Sequence, residues 1–196
     1  MFQLVDMLTA ALEMESETDS SFYYENQQAF LLKLFCLFQA TGLKFNFIDI
    51  VEFLNYENSR KHVYNLAIDK EKRREVDDMM VYLNSLKKGY PELLGLKTKL
   101  EQLFILDRAV SSLVNTYDSE IHIANDLQEK NMVLFSLSSG DRYRSNRALS
   151  RMVISILNTL VGQKQGHEKQ PFWLLILDEF GQYASKALEP LITTAR

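Results

Sequence analysis

The chain has 196 residues, 46% of them hydrophobic and 24% charged, with only three prolines. That composition belongs to a globular protein and supplies enough apolar residues for one core, or for one domain and part of another. The net charge of −4 argues against a domain that grips duplex DNA unaided, because such domains are basic; a nucleic-acid role would need a local patch or parts outside this chain. No segment carries about 18 uninterrupted apolar residues and the first residues lack a basic cluster, so neither a transmembrane helix nor a secretory signal is expected here.

Taken in order, residues 2–12 place apolar side chains at 2, 4, 5, 8, 11 and 12, a helical spacing. The acidic stretch at 13–21 reads as a solvated linker. Residues 22–40 form a strong helix, apolar nearly all round from Phe30 to Phe38, and Thr41-Gly42 ends it as a glycine C-cap. Its single cysteine, Cys36, reads as a buried, inert thiol, with no partner for an internal disulfide. Asn46 is suited to N-cap a short helix through Leu54. A polar break at 55–59 leads into a helix at 60–68. Residues 69–88 read as one highly charged helix with Met79, Met80, Tyr82, Leu83 and Leu86 as its apolar stripe. Lys87 and Lys88 fall in its last turn, where cations suit the helix dipole, and Gly89 caps it. Pro91 opens a further helix whose stripe runs Leu93, Leu94, Leu96, Leu100, Leu103, Phe104, Leu106, Val110 and Leu113. No strand is expected from 22 to 115.

The texture then changes. Residues 131–137 are a β-rich apolar run that reads as a core strand, followed by the loop Ser138-Ser139-Gly140-Asp141. Residues 143–160 form a helix with Leu149, Met152, Val153, Ile156, Leu157 and Leu160 on one side. After a polar connection, 172–177 read as a second buried strand, and 185–195 as a last helix. Strand, helix, strand at this spacing is a βαβ unit with a parallel, right-handed crossover. The second strand, Phe172-Trp173-Leu174-Leu175-Ile176-Leu177, runs into Asp178-Glu179-Phe180-Gly181. Two acids at the carboxyl end of a buried parallel strand stand where open α/β sheets bind ligands. In a nucleoside triphosphatase this is the Walker B pattern: the first acid helps hold Mg²⁺ through water, and the second orients or deprotonates the attacking water. The alternative is that both acids merely cap the following turn.

A phosphate-binding P-loop needs Gly-x-x-x-x-Gly-Lys-Ser/Thr, and none of the seven glycines is followed directly by Lys. If Asp178 and Glu179 form a Walker B site, its Walker A partner is expected upstream of Met1 or on another chain. Two parallel strands cannot fill a doubly wound sheet, so the chain reads as a fragment of a larger motor. The scattered His62, His122 and His167 give no metal-ligand spacing.

The run of helices, then Met132-Val133-Leu134-Phe135-Ser136-Leu137, then Ala148-Leu149-Ser150-Arg151-Met152-Val153-Ile154, then Leu175-Ile176-Leu177-Asp178-Glu179-Phe180-Gly181 resembles the type IV coupling proteins of bacterial conjugation and type IV secretion. These are motors of the TraG/TraD type in the FtsK/HerA superfamily. The resemblance runs from about residue 22 to the end and is most specific from Asn131 onward. It implies a mainly α chain, an all-helical bundle inserted in a partial α/β P-loop (RecA-like) nucleotide-binding domain. The expected divisions are 1–21 as a helix and acidic linker from the nucleotide-binding domain, 22–117 as the all-α domain, and 118–196 as the partial α/β domain. The resemblance assigns Asp178 to the Mg²⁺ site and Glu179 to water activation. It implies ATP and Mg²⁺ as cofactors of the full-length protein, with none expected on this chain alone, which lacks Walker A and should be inactive by itself. It further implies a homo-hexameric ring at the cytoplasmic side of the inner membrane, moving single-stranded DNA or protein substrates, whose all-α domain meets substrates or relaxosome proteins. The fragment alone is expected to be a monomer.

Other residues have two readings each. Arg144, Arg147 and Arg151 share one helix face and could contact a neighbouring subunit's nucleotide or line a channel; the alternative is a solvated face. Ser138 and Ser139 could line the nucleotide cleft or sit in an ordinary βα loop. Phe22, Tyr23, Tyr24 and Phe30 could stack on bases, although their helical spacing favours core packing. Two other functions stay in view: a HerA-like DNA-translocating ATPase of repair or defence, and a non-enzymatic helical interaction module.

Overall fold

The computed structural model describes residues 5, 8–9, 11–12, 21–118, 126, 132–136, 143–164, 174 and 176. The chain divides into two compact units: Met1–Val5 with Met14–Ser119, and Asp6–Glu13 with Glu120–Arg196. Among the described residues every regular element is helical and there is no strand.

The first unit is organised around α1, Ser21–Thr41. Phe30, Leu31, Leu34, Phe35, Leu37 and Phe38 are buried in it, and each such side chain contributes about 1.5–3 kcal/mol relative to exposure. The expectation of an all-round buried segment is corrected in one respect: Leu32, Lys33 and Cys36 are only half-buried, so the segment has a core face and a margin. The helix stops where the sequence says it should. Gly42 takes φ 67°, its N–H donates to the Gln39 carbonyl at 3.0 Å, and the Thr41 hydroxyl donates to the Phe38 carbonyl at 2.6 Å.

Helix α2, Phe47–Asn55, is opened by Asn46 with a full capping box. The Asn46 side-chain oxygen accepts from the N–H groups of Ile48 and Asp49, and the Asp49 carboxylate accepts from the Asn46 N–H. The expected break at 55–59 shrinks to Tyr56 alone, since α3 spans Glu57–Asp69. The Arg60 guanidinium makes this tight corner possible by donating to the last carbonyls of α2, Phe53 at 2.9 Å and Leu54 at 3.0 Å.

The single helix expected over 69–88 is two pieces. Helix α3 ends at Asp69, Glu71 adopts φ 60° in the turn, and α4 runs Arg73–Ser85. Lys87 and Lys88 therefore lie beyond the last turn, and Gly89 (φ 85°) serves the following turn rather than the helix end. Charge-rich sequence hides such a break because the polar residues carry no phase information.

Pro91 does open the next element, a 3₁₀ turn Pro91–Leu93 that runs into α5, Leu94–Leu100. A π-helical turn, Glu101–Ile105, follows, closed by Leu106 N–H to Glu101 O at 2.9 Å. Asp107 then caps α6, Arg108–Val114. The π turn and the break at Asp107 reset the helical phase. Leu93, Leu96, Leu100, Phe104 and Val110 stay buried, whereas Leu94, Leu106 and Leu113, expected on the same stripe, are exposed. Helix α1 packs against α3, α4 and the 3₁₀ turn, while α2 packs against α3, α5 and the π turn.

In the second unit, α7 spans Tyr143–Lys164. The expected core strand at 131–137 is corrected where it is described: 132–136 belong to no strand, and Leu134 is 80% exposed. The same holds at Leu174 and Ile176, the latter 79% exposed. An apolar β-prone run becomes a strand only when neighbours take up its backbone groups, and no described residue forms a ladder with either run.

Candidate functional site

The residues singled out from the sequence divide sharply. Asp178, Glu179, Ser138 and Ser139 lie outside the described residues. The three arginines are on α7, at graded depth: Arg144 is exposed, Arg147 half-buried, and Arg151 only 6% exposed. A solvated face is thereby excluded for Arg151. A buried guanidinium must be compensated, and both Arg147 and Arg151 are engaged in interactions within the protein. Of the expected Leu149–Leu160 stripe only Leu157 is buried, the rest being half-buried. The buried side of α7 also carries Ser145, Asn146, Ala148, Ser150, Ile154 and Ser155 beside Arg151. Ser150 and Thr159 turn their hydroxyls back onto the carbonyls of Asn146 and Ser155, at 2.8 and 3.1 Å, which lets small polar residues sit in a buried helix face. Among the aromatics, Phe30 is buried as expected, but Phe22 and Tyr23 are exposed and pair edge to face at 5.7 Å.

A site the sequence reading missed is in the first unit, a cleft of about 660 Å³ where α1, α2 and α3 meet. Its floor is aromatic. Phe45, in the loop after α1, stacks on Phe38 at 4.7 Å and on Phe35 at 5.3 Å, and Phe53 of α2 meets Phe38 edge to face at 6.1 Å. Val63 of α3 closes the base, and Leu43, 45% exposed, stands at the mouth. The rim is polar, with Asp49 and Glu52 on α2, His62 on α3, and Lys44 before α2.

The segment after α6 straps one side of this cleft. Asn115 accepts from the Phe47 N–H at 3.1 Å through its side-chain oxygen and donates its amide to the Phe104 carbonyl at 2.6 Å. The Tyr117 hydroxyl donates to Asp49 Oδ1 at 2.9 Å, and that bond, ahead of burial, holds the phenol above its ordinary value. Lys44 pairs with Asp118 at 2.6 Å and holds that carboxyl below its usual range. With Lys44 so balanced, Asp49 and Glu52 leave the mouth acidic. The signal available in the sequence was Asn46-x-x-Asp49-x-x-Glu52, a capping box whose acid recurs one turn later.

Among the described residues no group of three or more His, Cys, Asp or Glu could hold a metal ion, and no helix is long and apolar enough to cross a membrane. Compared with protein-family models, with curated proteins and with solved structures, the chain matches none.

Proposed function

We propose that the chain is part of a type IV coupling protein, an ATP-driven motor that recruits relaxase-bound single-stranded DNA or effector proteins and feeds them to a conjugation or type IV secretion channel. The all-helical unit meets the substrate or a relaxosome protein, and the second unit belongs to a P-loop nucleotide-binding domain. The observation that carries this reading is the order of the chain. Met14–Ser119, together with Met1–Val5, make one compact unit whose described regular elements are all helical, and the two pieces of the other unit, Asp6–Glu13 and Glu120–Arg196, flank the long stretch Met14–Ser119 in sequence. That is the sequence order of a helical domain inserted in a nucleotide-binding domain. The apolar run into Asp178-Glu179 supplies the second support. Adjacent carboxylates suit a hydrated Mg²⁺ and its nucleotide. Asp178 would hold the metal through water, and Glu179 would orient the attacking water. Arg151, buried on α7, and the half-buried Arg147 are the arginines this reading assigns to a nucleotide or subunit interface. The working assembly is a homo-hexamer at the cytoplasmic face of the inner membrane.

The test is made in the full-length protein. Glu179→Gln lowers ATP turnover by about 100-fold or more, while MgATP binding, measured by fluorescent-nucleotide displacement, is retained. Near-normal hydrolysis by that variant removes Glu179 from the role assigned to it.

A further inference from the structure

We infer that the cleft between α1, α2 and α3 is a docking groove for a protein segment that presents a large apolar side chain flanked by lysine or arginine. The inference rests on the reading of the helical unit as a partner-binding module, and it names the chemistry of that partner.

The floor sets the first requirement. Phe45, half-buried, covers the buried Phe38 and Phe53 in one contiguous aromatic cluster, and a cleft of about 660 Å³ falls within the range of sites that take up an apolar group. Leu43 extends the apolar surface to solvent at the mouth. Large apolar anchors entering such a pocket supply most of the affinity of a protein contact.

The rim sets the second. Asp49 and Glu52 stand at i and i+3 on α2, so both carboxylates serve the same end of the cleft. Lys44 does not offset them, because Asp118 already balances it at 2.6 Å. Asp49 accepts one hydrogen bond on each oxygen, from Tyr117 and from the Asn46 N–H, and a carboxylate retains further acceptor capacity beyond two. An acidic mouth attracts cations and repels phosphate, which selects a basic protein segment over a nucleic-acid strand.

The groove is also preorganised. The capping box fixes the first turn of α2, which carries Asp49, and Tyr117 ties the strap to that same carboxylate. Little ordering cost is then left for the binding step.

The test uses the whole chain and a fluorescein-labelled synthetic peptide, Lys-Arg-Leu-Phe-Lys-Lys-Leu repeated twice, read by fluorescence anisotropy. Two control peptides replace its Lys and Arg by Glu, or its Leu and Phe by Ser. The expected result is saturable binding of the first peptide alone, weakened on raising salt from about 50 to about 300 mM. Glu52→Lys combined with Leu43→Ser, two exposed positions, weakens it at least about tenfold with an unchanged helical circular-dichroism spectrum and melting temperature. Equal binding of the acidic peptide, equal binding by the double variant, or no binding of the basic peptide overturns the inference. The ATPase measurement on Glu179 reads the motor separately, so a failed motor and a failed groove give different results.

Discussion

At the scale of single residues, the clearest cause-and-effect pair is Asn46. Its side chain satisfies two N–H groups that α2 cannot satisfy for itself, at 2.9 and 3.2 Å. It also places Asp49, which returns the bond to the Asn46 N–H and takes a second one from Tyr117. Asn46→Ala should cost about 1 kcal/mol in chemical denaturation, and Asn46→Ser or Asn46→Asp should restore most of it. No loss in the alanine variant would mean that the cap is not what fixes the start of α2. Glu92 is a contrasting case. It is 5% exposed, yet one carboxylate oxygen reaches only the Lys87 N–H, at 3.4 Å, and the other has no hydrogen-bond partner. A buried carboxylate so thinly bonded is expensive, and the structure offers no compensating role for it.

At the scale of elements, the corners decide the architecture. Helix α1 must end abruptly for Phe45 to fold back onto Phe35 and Phe38, and Gly42 makes that possible by entering the left-handed region. A Cβ there would also meet the Lys70 ammonium at 2.9 Å, although that flexible side chain can move aside. Gly42→Ala should therefore destabilise the protein by about 1–2 kcal/mol, chiefly through the backbone. Gly42→Asn should cost less, because Asn enters that region more readily. Equal stability of all three proteins in urea would remove the conformational argument. The corner between α2 and α3 works differently. It needs no glycine, because Arg60 from the second helix hydrogen-bonds the open carbonyls of the first. The π turn is a third device: one extra residue keeps Phe104 in the core, stacked on Phe47 at 4.4 Å, as the chain turns toward Asp107.

At the scale of the whole molecule, the seams of the helical unit are sealed by tyrosines as well as by phenylalanines. Burial pushes the Tyr64 phenol up to about 12, with the Arg60 charge pulling the other way. Burial, followed by the neighbouring Glu92 carboxylate, takes Tyr82 to about 12. Tyr64 meets Phe53 edge to face at 5.9 Å, and Tyr82 donates to the Asn26 carbonyl at 2.5 Å. Both values are raised, so folding favours the protonated phenol. The stability linked to it is fully present below the unfolded value of about 10 and is lost as pH climbs from there through about 12. Thermal melts between neutral pH and pH about 12 should fall steeply over that window, and Tyr82→Phe should flatten the fall. An equally steep fall in the variant would show that other groups set the alkaline limit.

Much of this was legible in the chain, and the reason is physical. The strong helix at 21–41, its glycine stop, the Asn46 cap, the proline that opens the next element, the helix at 143–164 and the lack of strands from 22 to 115 all follow from local rules. Apolar period, fixed φ and unsatisfied end groups act within a few residues, so sequence alone determines them. The break at Glu71 and the phase reset at Glu101–Ile105 were not legible, because neither leaves a glycine or proline behind. Only the tertiary structure decided the rest. It placed Phe45 over Phe38, buried Arg151 while leaving Leu94 and Leu106 outside, and set Tyr117 against Asp49 across 68 positions of sequence. Each of those outcomes depends on which surfaces meet, a long-range property that no window of neighbouring residues contains.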